Sequence, residues 1–219
     1  MQTRPPARRR LLAATGLAAA GIALPALASS RRVLAPMTDG PFYPPPRWRE
    51  RWADWDADLV HTQRDGRTAT ARGEHLALAL QVADTAGRTV DGAEIELWQC
   101  DALAAYRHPN VDPVDGRFDP GFQGFGASRA DRQGAARFLT IRPVPYPGRT
   151  PHIHLKLRHA SFGTLTTQLF VAGDPGNARD FLWRALAEAD RAPLAMELQP
   201  APAGSGLRWQ ALHRLTVPA

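Results

Sequence analysis

From His75 onward the apolar residues of this chain recur at a spacing of two, in short runs cut off by glycine and proline turns. Leu76, Leu78, Leu80 and Val82 alternate with Ala77, Ala79 and Gln81. That is the period of a strand with one buried face, and it disfavours a helix. Val90 to Gln99 repeats the pattern, with Ile95 and Leu97 on one face and Glu94, Glu96 and Trp98 on the other. Arg137 to Ile141, His152 to His159 and the β-branched run Thr164 to Val171 read as further strands, and two more fall around Leu194–Leu198 and Leu207–Val217. Turns at Ala86–Arg88, Arg132–Gly134, Asp174–Asn177 and Ala203–Gly206 separate these runs, and Asp101 to Gly126 reads as a loop. One short helix is predicted near 178–189, capped by Asn177, with Phe181, Leu182, Ala185 and Leu186 as its apolar stripe. The pattern predicts an all-β chain, an antiparallel β-sandwich with long loops, over residues 73–219.

The segment before it has a different character. Residues 29–72 are rich in proline, arginine and tryptophan without a sustained period, and Gly40-Pro41-Phe42-Tyr43-Pro44 excludes helix. An extended arm is predicted, stapled to the domain by Trp48, Trp52 and Trp55, and such an arm hints at a subunit contact and a homo-oligomer. Ahead of it, Arg8-Arg9-Arg10 precedes an apolar run to Leu27, and Ala26-Leu27-Ala28 has the small-residue form of a cleavage site. Residues 1–28 therefore read as an export signal of the twin-arginine type, giving a mature chain from near Ser29 and a periplasmic address. An uncleaved membrane anchor is the alternative; the run is short for a span and contains Pro25.

That reading changes the meaning of the charge. The whole chain carries a formal +6, but residues 1–28 hold Arg4, Arg8, Arg9 and Arg10 and no acid. The remainder has 23 basic against 21 acidic residues, so neither a nucleic-acid partner nor stable membrane insertion after cleavage is expected. Cys100 is the only cysteine, which excludes an intrachain disulfide.

His152 and His154 stand two apart on a predicted strand, so both imidazoles leave the same face, opposite Ile153 and Leu155. Such a pair suits zinc, copper, iron or nickel; phenolate oxygens as further donors would favour iron(III). The chain has three tyrosines, Tyr43, Tyr106 and Tyr146, and Tyr146 sits six residues before His152 in a proline-bent loop. On these residues alone, a copper or zinc site using only the histidine pair stays open.

The segments GPFYPP, WQCDALAAYRH, GFQGFG, RFLTIRPVPYPG, RTPHIHLKL and TTQLFVAGDP, running in that order from about Thr38 to Pro175, resemble the intradiol ring-cleavage dioxygenases. The resemblance implies a β-sandwich holding non-haem iron(III) through Tyr106, Tyr146, His152 and His154, with Tyr146 and His154 axial, and Tyr106 and His152 equatorial beside a water or hydroxide. It implies that a catechol-type aromatic is opened by O2 between its two hydroxylated carbons, giving a cis,cis-muconate-type product. Displaced Tyr146 would accept a substrate proton, and Arg149 would stabilise negative charge developing on the ring. Gln168 matches a glutamine of the family's site, and Gly40 and Pro41 match an arm segment that lines the substrate pocket beside Arg149.

Two departures stand out. The stretch between Tyr146 and His152 is shorter than in the best-known members, where added residues including a tryptophan line the pocket, so a more open site is expected. An exported address is unusual for a ring-cleaving catabolic enzyme. His108 and His159 match no ligand position and read as loop and strand-end histidines. The rival reading from another class is an exported metal- or catechol-binding β-sandwich without turnover.

Overall fold

The structure, a computed structural model, describes residues 31–45, 55–64, 66–108 and 117–219. The proposed signal and Trp48 and Trp52 lie outside the described residues. Eleven strands follow in chain order: β1 (His61–Arg64), β2 (Arg67–Thr70), β3 (His75–Asp84), β4 (Glu94–Trp98), β5 (Phe125–Arg129), β6 (Ala135–Ile141), β7 (His152–His159), β8 (Gly163–Val171), β9 (Ala195–Met196), β10 (Gln199–Pro200) and β11 (Trp209–Val217). One sheet runs β10-β11-β3-β6, the other β5-β4-β7-β8-β9, and β1 and β2 form a separate hairpin.

The two sheets make a sandwich whose core is built from the alternating positions. Leu76, Leu78, Leu80 and Val82 of β3 are buried, together with Ile95 and Leu97 of β4 and Ile153, Leu155 and Leu157 of β7. Each such side chain withdrawn from water contributes roughly 1.5–3 kcal/mol. Most ladders are antiparallel, as expected, but β11 runs parallel to β3 over nine positions, Trp209↔Leu76 to Val217↔Asp84, and β9 runs parallel to β8. The sandwich therefore carries two parallel ladders that a period of two cannot reveal.

Three local expectations are corrected. Regular structure begins at His61 rather than near His75, because β1 and β2 pair within the segment read as arm. The loop reading of Asp101 to Gly126 runs into β5, which pairs with β4 from Trp98↔Phe125 to Glu94↔Arg129. Gly126 is needed there: a Cβ would lie 2.0 Å from the Asp56 carbonyl oxygen, so the chain crosses where only glycine fits. The single helix is broken into α1 (Phe181–Ala185) and α2 (Glu188–Arg191), flanked by 3-10 turns at Asn177–Arg179 and Ala192–Leu194. Its cap is Asp180, whose Oδ1 accepts from the Leu182 and Trp183 amides, while Asn177 is buried and donates to the Val171 carbonyl.

β7 positions the site. Its residues from His152 to Leu157 are all buried, although only every second one faces the sandwich core. The other face is covered by the arm around residues 39–43, where Asp39 pairs with Lys156 and Phe42 stacks on Tyr106. Upstream, Met37 donates its amide to the Thr166 carbonyl of β8, and Leu34 donates to the Thr216 carbonyl of β11 and packs into the apolar core. A second face thus lies under cover without belonging to the apolar core.

Candidate metal centre and active site

On that covered face stand His152 and His154, at 2% exposure each. Their ring centroids are 4.9 Å apart. The loop after β4 brings in Tyr106, and the loop between β6 and β7 brings in Tyr146. Tyr106 Oη lies 3.4 Å from His152 Nε2. Tyr146 is 5.7 Å from Tyr106 and 5.4 Å from His152 between ring centroids, and Tyr106 is 6.2 Å from His154. Three separate chain segments thus converge on one point with two imidazoles and two phenols.

The surroundings set the protonation state of these four side chains. His152 Nδ1 donates to the Thr150 carbonyl at 2.7 Å, which leaves the Nε2 lone pair facing Tyr106. Burial, with the Arg149 charge added, lowers His152 to about 4, and burial, with His152 and Arg149 added, carries His154 well below its ordinary value. Both rings are therefore neutral near pH 7, the form that can bind a cation. Burial pushes both phenols up, Tyr106 far more than Tyr146, where the Arg149 charge and a hydrogen bond with Tyr106 pull the other way. Trp98 stacks on His154 at 4.8 Å and Phe42 on Tyr106 at 4.4 Å. Gly40 has φ +72°, and a Cβ there would stand 3.4 Å from His154 Cε1, so the arm passes directly over a donor ring.

Arg149 stands beside this group. Its Nη1 is 3.5 Å from Tyr146 Oη, its Nη2 donates to Gln168 Oε1 at 2.5 Å, and Nε donates to Asp180 Oδ2 at 2.8 Å. Gln168 is buried on β8, directly across from His154. Burial favours the neutral Asp180 carboxyl, but bonds from Arg149 and from the Thr150 and Trp183 amides outweigh it and hold Asp180 below the usual carboxylate range. A cleft of about 410 Å³ opens beside Arg149, lined by Gly148, Thr150, Pro151, Asp174 and Arg179 among others. An apolar groove of about 480 Å³ on the outer face of β3, β6 and β11 includes none of the residues just described.

Every singled-out residue except Pro41 is thereby placed: Tyr106, Tyr146, Arg149, His152, His154 and Gln168 meet, and Gly40 touches the group. Pro41 is exposed, between Gly40 and Phe42. His159 bonds Ser161 at the end of β7, as a strand-end histidine. His108 is not an open loop residue: it is buried, 6.1 Å from the Phe42 ring. Among the described residues no three of His, Cys, Asp and Glu gather as a metal cluster, so a cation here would draw half its donors from tyrosine. Asp180, Thr150, Phe42 and Trp98 were not anticipated. The only sequence signal for Asp180 was its place just before the apolar turn Phe181-Leu182-Trp183.

The sequence profile of the dioxygenase family matches residues 43–209. The chain belongs to the intradiol dioxygenase family. It is 36% identical over 157 residues to the protocatechuate 3,4-dioxygenase beta chain of Burkholderia cepacia, an alignment taking in 68% of this chain and 66% of that one. It is 32% identical over 123 residues to the hydroxyquinol 1,2-dioxygenase of Corynebacterium glutamicum, covering 48% of this chain and 38% of the relative. The chain thus spans between about two-fifths and two-thirds of the length of these curated relatives. Among solved structures, the dioxygenase domain of a dioxygenase carbohydrate-binding fusion from Streptomyces sp. SirexAA-E superposes with TM-score 0.63 at 24% identity, covering 86% of this chain and 99% of that one. The intradiol ring-cleavage dioxygenase of Tetranychus urticae gives 0.62 at 19% identity, covering 85% and 95%. At these identities the likeness establishes the shared intradiol dioxygenase fold.

Proposed function

We propose that this protein opens a catechol-type ring between its two hydroxylated carbons with O2, giving a cis,cis-muconate-type product, at an iron(III) held by Tyr106, Tyr146, His152 and His154. The observation that carries the reading is the convergence of these four side chains, with Tyr106 Oη 3.4 Å from His152 Nε2. The residues suit ferric iron. Two imidazoles are already neutral, and two phenols that burial keeps protonated would release their protons to solvent only in exchange for a strongly charged cation. His154 Nδ1 is in addition a buried nitrogen without a hydrogen-bond partner. When bound, ferric iron would supply chelation of the two catechol oxygens and make the ring reactive towards dioxygen.

The chain's own residues do the rest. Tyr146 is the less buried phenol and lies within reach of Arg149, so once its own proton has been displaced its phenolate oxygen would be placed to take a proton from a catechol hydroxyl. Arg149, oriented by Asp180 and Gln168, holds a fixed positive charge where negative charge develops on the substrate. Phe42 and Trp98 wall the donor group with apolar rings and exclude water from Tyr106 and His154.

Which catechol is taken follows from a panel of catechol, protocatechuate, hydroxyquinol and chlorinated or alkylated catechols, scored by oxygen uptake. Iron-loaded protein is expected to be reddish, to change colour with catechol, and to consume oxygen with at least one of these. Colour change without oxygen consumption would establish a catechol-binding module instead, and a colourless, inactive protein after iron loading would end the enzyme reading. We also place the protein outside the cytoplasm on its Arg8-Arg9-Arg10 and Ala26-Leu27-Ala28 signals. An N-terminus near Ser29 in the periplasmic fraction supports that address. Retention of the full chain in the cytoplasm refutes it.

A further inference from the structure

One face of β7 does two jobs. Its alternating residues are His152, His154, Lys156 and Arg158, and across the ladder to β4 they stand beside Trp98, Glu96 and Glu94. The first half of the face carries donor rings. The second half carries charges that are largely withdrawn from water, with Glu96 at 4% and Lys156 at 7% exposure. Burying such groups is unfavourable unless they are paired, and an apolar face would pack a covering segment as well. Their partners lie on the arm. Lys156 Nζ pairs with Asp39 Oδ2 at 2.5 Å and sits 3.5 Å from the centre of the Tyr43 ring. Thr166 donates to the other Asp39 oxygen at 2.8 Å. Tyr43 Oη donates to Glu96 at 2.6 Å and accepts from Arg158 at 2.9 Å, while Arg158 also pairs with Glu96 at 2.9 Å.

These contacts fall at the two ends of a short piece of arm. Between Asp39 and Tyr43 lie Gly40, over His154, and Phe42, stacked on Tyr106. We infer that Lys156, with Glu96 and Arg158, is a latch that holds Gly40–Phe42 in place as one wall of the catechol site, so that charge pairs outside the donor set determine substrate affinity. Lys156 and Tyr43 are positioning residues in this scheme: they act through the arm and touch neither substrate nor metal. The inference rests on the catechol reading for its substrate, but the latch itself is a property of the protein without ligands.

Lys156→Met tests it, because the methionine keeps the apolar stem and removes the charge. Amide hydrogen exchange of Gly40, Phe42 and Tyr43 in the metal-free protein is expected to speed up by about tenfold or more, since the arm opens locally while the sandwich stays closed. In iron-loaded protein, KM for the best catechol and the dissociation constant of 4-nitrocatechol are expected to rise by about tenfold, with kcat and iron content close to wild type. Lys156→Arg is expected to restore both. Should Lys156→Met fail to fold, Asp39→Asn breaks the same pair from the arm side, where the carboxylate is 40% exposed. Unchanged exchange at Gly40, Phe42 and Tyr43 overturns the latch. So does faster exchange with unchanged affinity, or a loss of iron in step with activity, which would mark a merely structural role. Exchange is read without metal or substrate, so the latch is scored even where wild-type protein fails to consume oxygen.

Discussion

Arg149 Nε lies 2.8 Å from Asp180 Oδ2, and the aspartate side chain is fully buried. The same carboxylate oxygen accepts from the Thr150 amide at 3.0 Å, and the Thr150 carbonyl in turn accepts from His152 Nδ1. One carboxylate, 31 residues away from Arg149, thus orients both the cation of the site and the loop that fixes a donor imidazole. Asp180→Asn separates these two contacts from the cap on α1. The asparagine oxygen can still accept from the Leu182 and Trp183 amides, but the amide nitrogen in place of Oδ2 can accept neither from Arg149 Nε nor from the Thr150 amide. Ring cleavage is expected to fall by about 10²-fold through misplacement of the guanidinium, with α1 retained. Arg149→Ala should do more harm to the fold, costing about 3–5 kcal/mol, because it leaves a buried carboxylate unpaired. Denaturation midpoints and kcat/KM of the two variants check both statements; a neutral Arg149→Ala would show that Asp180 finds water instead.

Tyr106→Phe tests the donor set with little disturbance. The phenyl ring keeps the stack with Phe42, and the hydroxyl lost gives up a 3.4 Å contact with His152 and the hydrogen bond shared with Tyr146. Metal-free stability is expected to change by about 1 kcal/mol or less. Iron content and the visible absorption should both collapse. Retention of colour and iron at the wild-type level would remove Tyr106 from the donors.

The meeting of two imidazoles and two phenols was legible because strand alternation aims His152 and His154 to one side, and because the motifs around Tyr106 and Tyr146 come in family order. Asp180 was not legible. Its partners are 30 and 31 residues distant, and the local helix signals pointed to Asn177 as the cap. The direction of β11 was hidden because alternation reports which face is buried and not which way the chain runs. β5 was hidden for another reason: close approach of Asp56 demands Gly126, and a glycine inside a strand looks like a loop. The burial of both faces of β7 depends on the arm, which has no period of its own to read.

Gly40 is the arm residue with least freedom to change. Its φ of +72° is a conformation other residues adopt at a cost of about 1–3 kcal/mol, and a side chain there would press on His154. Gly40→Ala should shift the arm as well as strain it. A lower melting temperature together with a raised KM for the catechol is expected. A melting change alone, with KM untouched, would show that the backbone at residue 40 does not shape the site.

His213 gives the stability a pH dependence that is separable from the site. It lies on β11, buried, with Nε2 at 2.8 Å from the Pro193 carbonyl oxygen. Burial lowers its pKa from the ordinary value, and the bond to Pro193 only partly offsets this. Above about pH 6.5 the ring is neutral in both folded and unfolded chains and has no effect on pH dependence. Below that value the unfolded chain takes up a proton that the folded one refuses, so stability present at neutral pH is lost as pH falls towards the folded pKa. The slope from this one group is at most about 1.4 kcal/mol per pH unit. His213→Gln can keep a donor to Pro193 and cannot titrate. Urea denaturation of both proteins at pH 7.5 and 5.5 should show the wild type losing more stability on acidification than the variant. Parallel losses would assign the acid sensitivity to other groups.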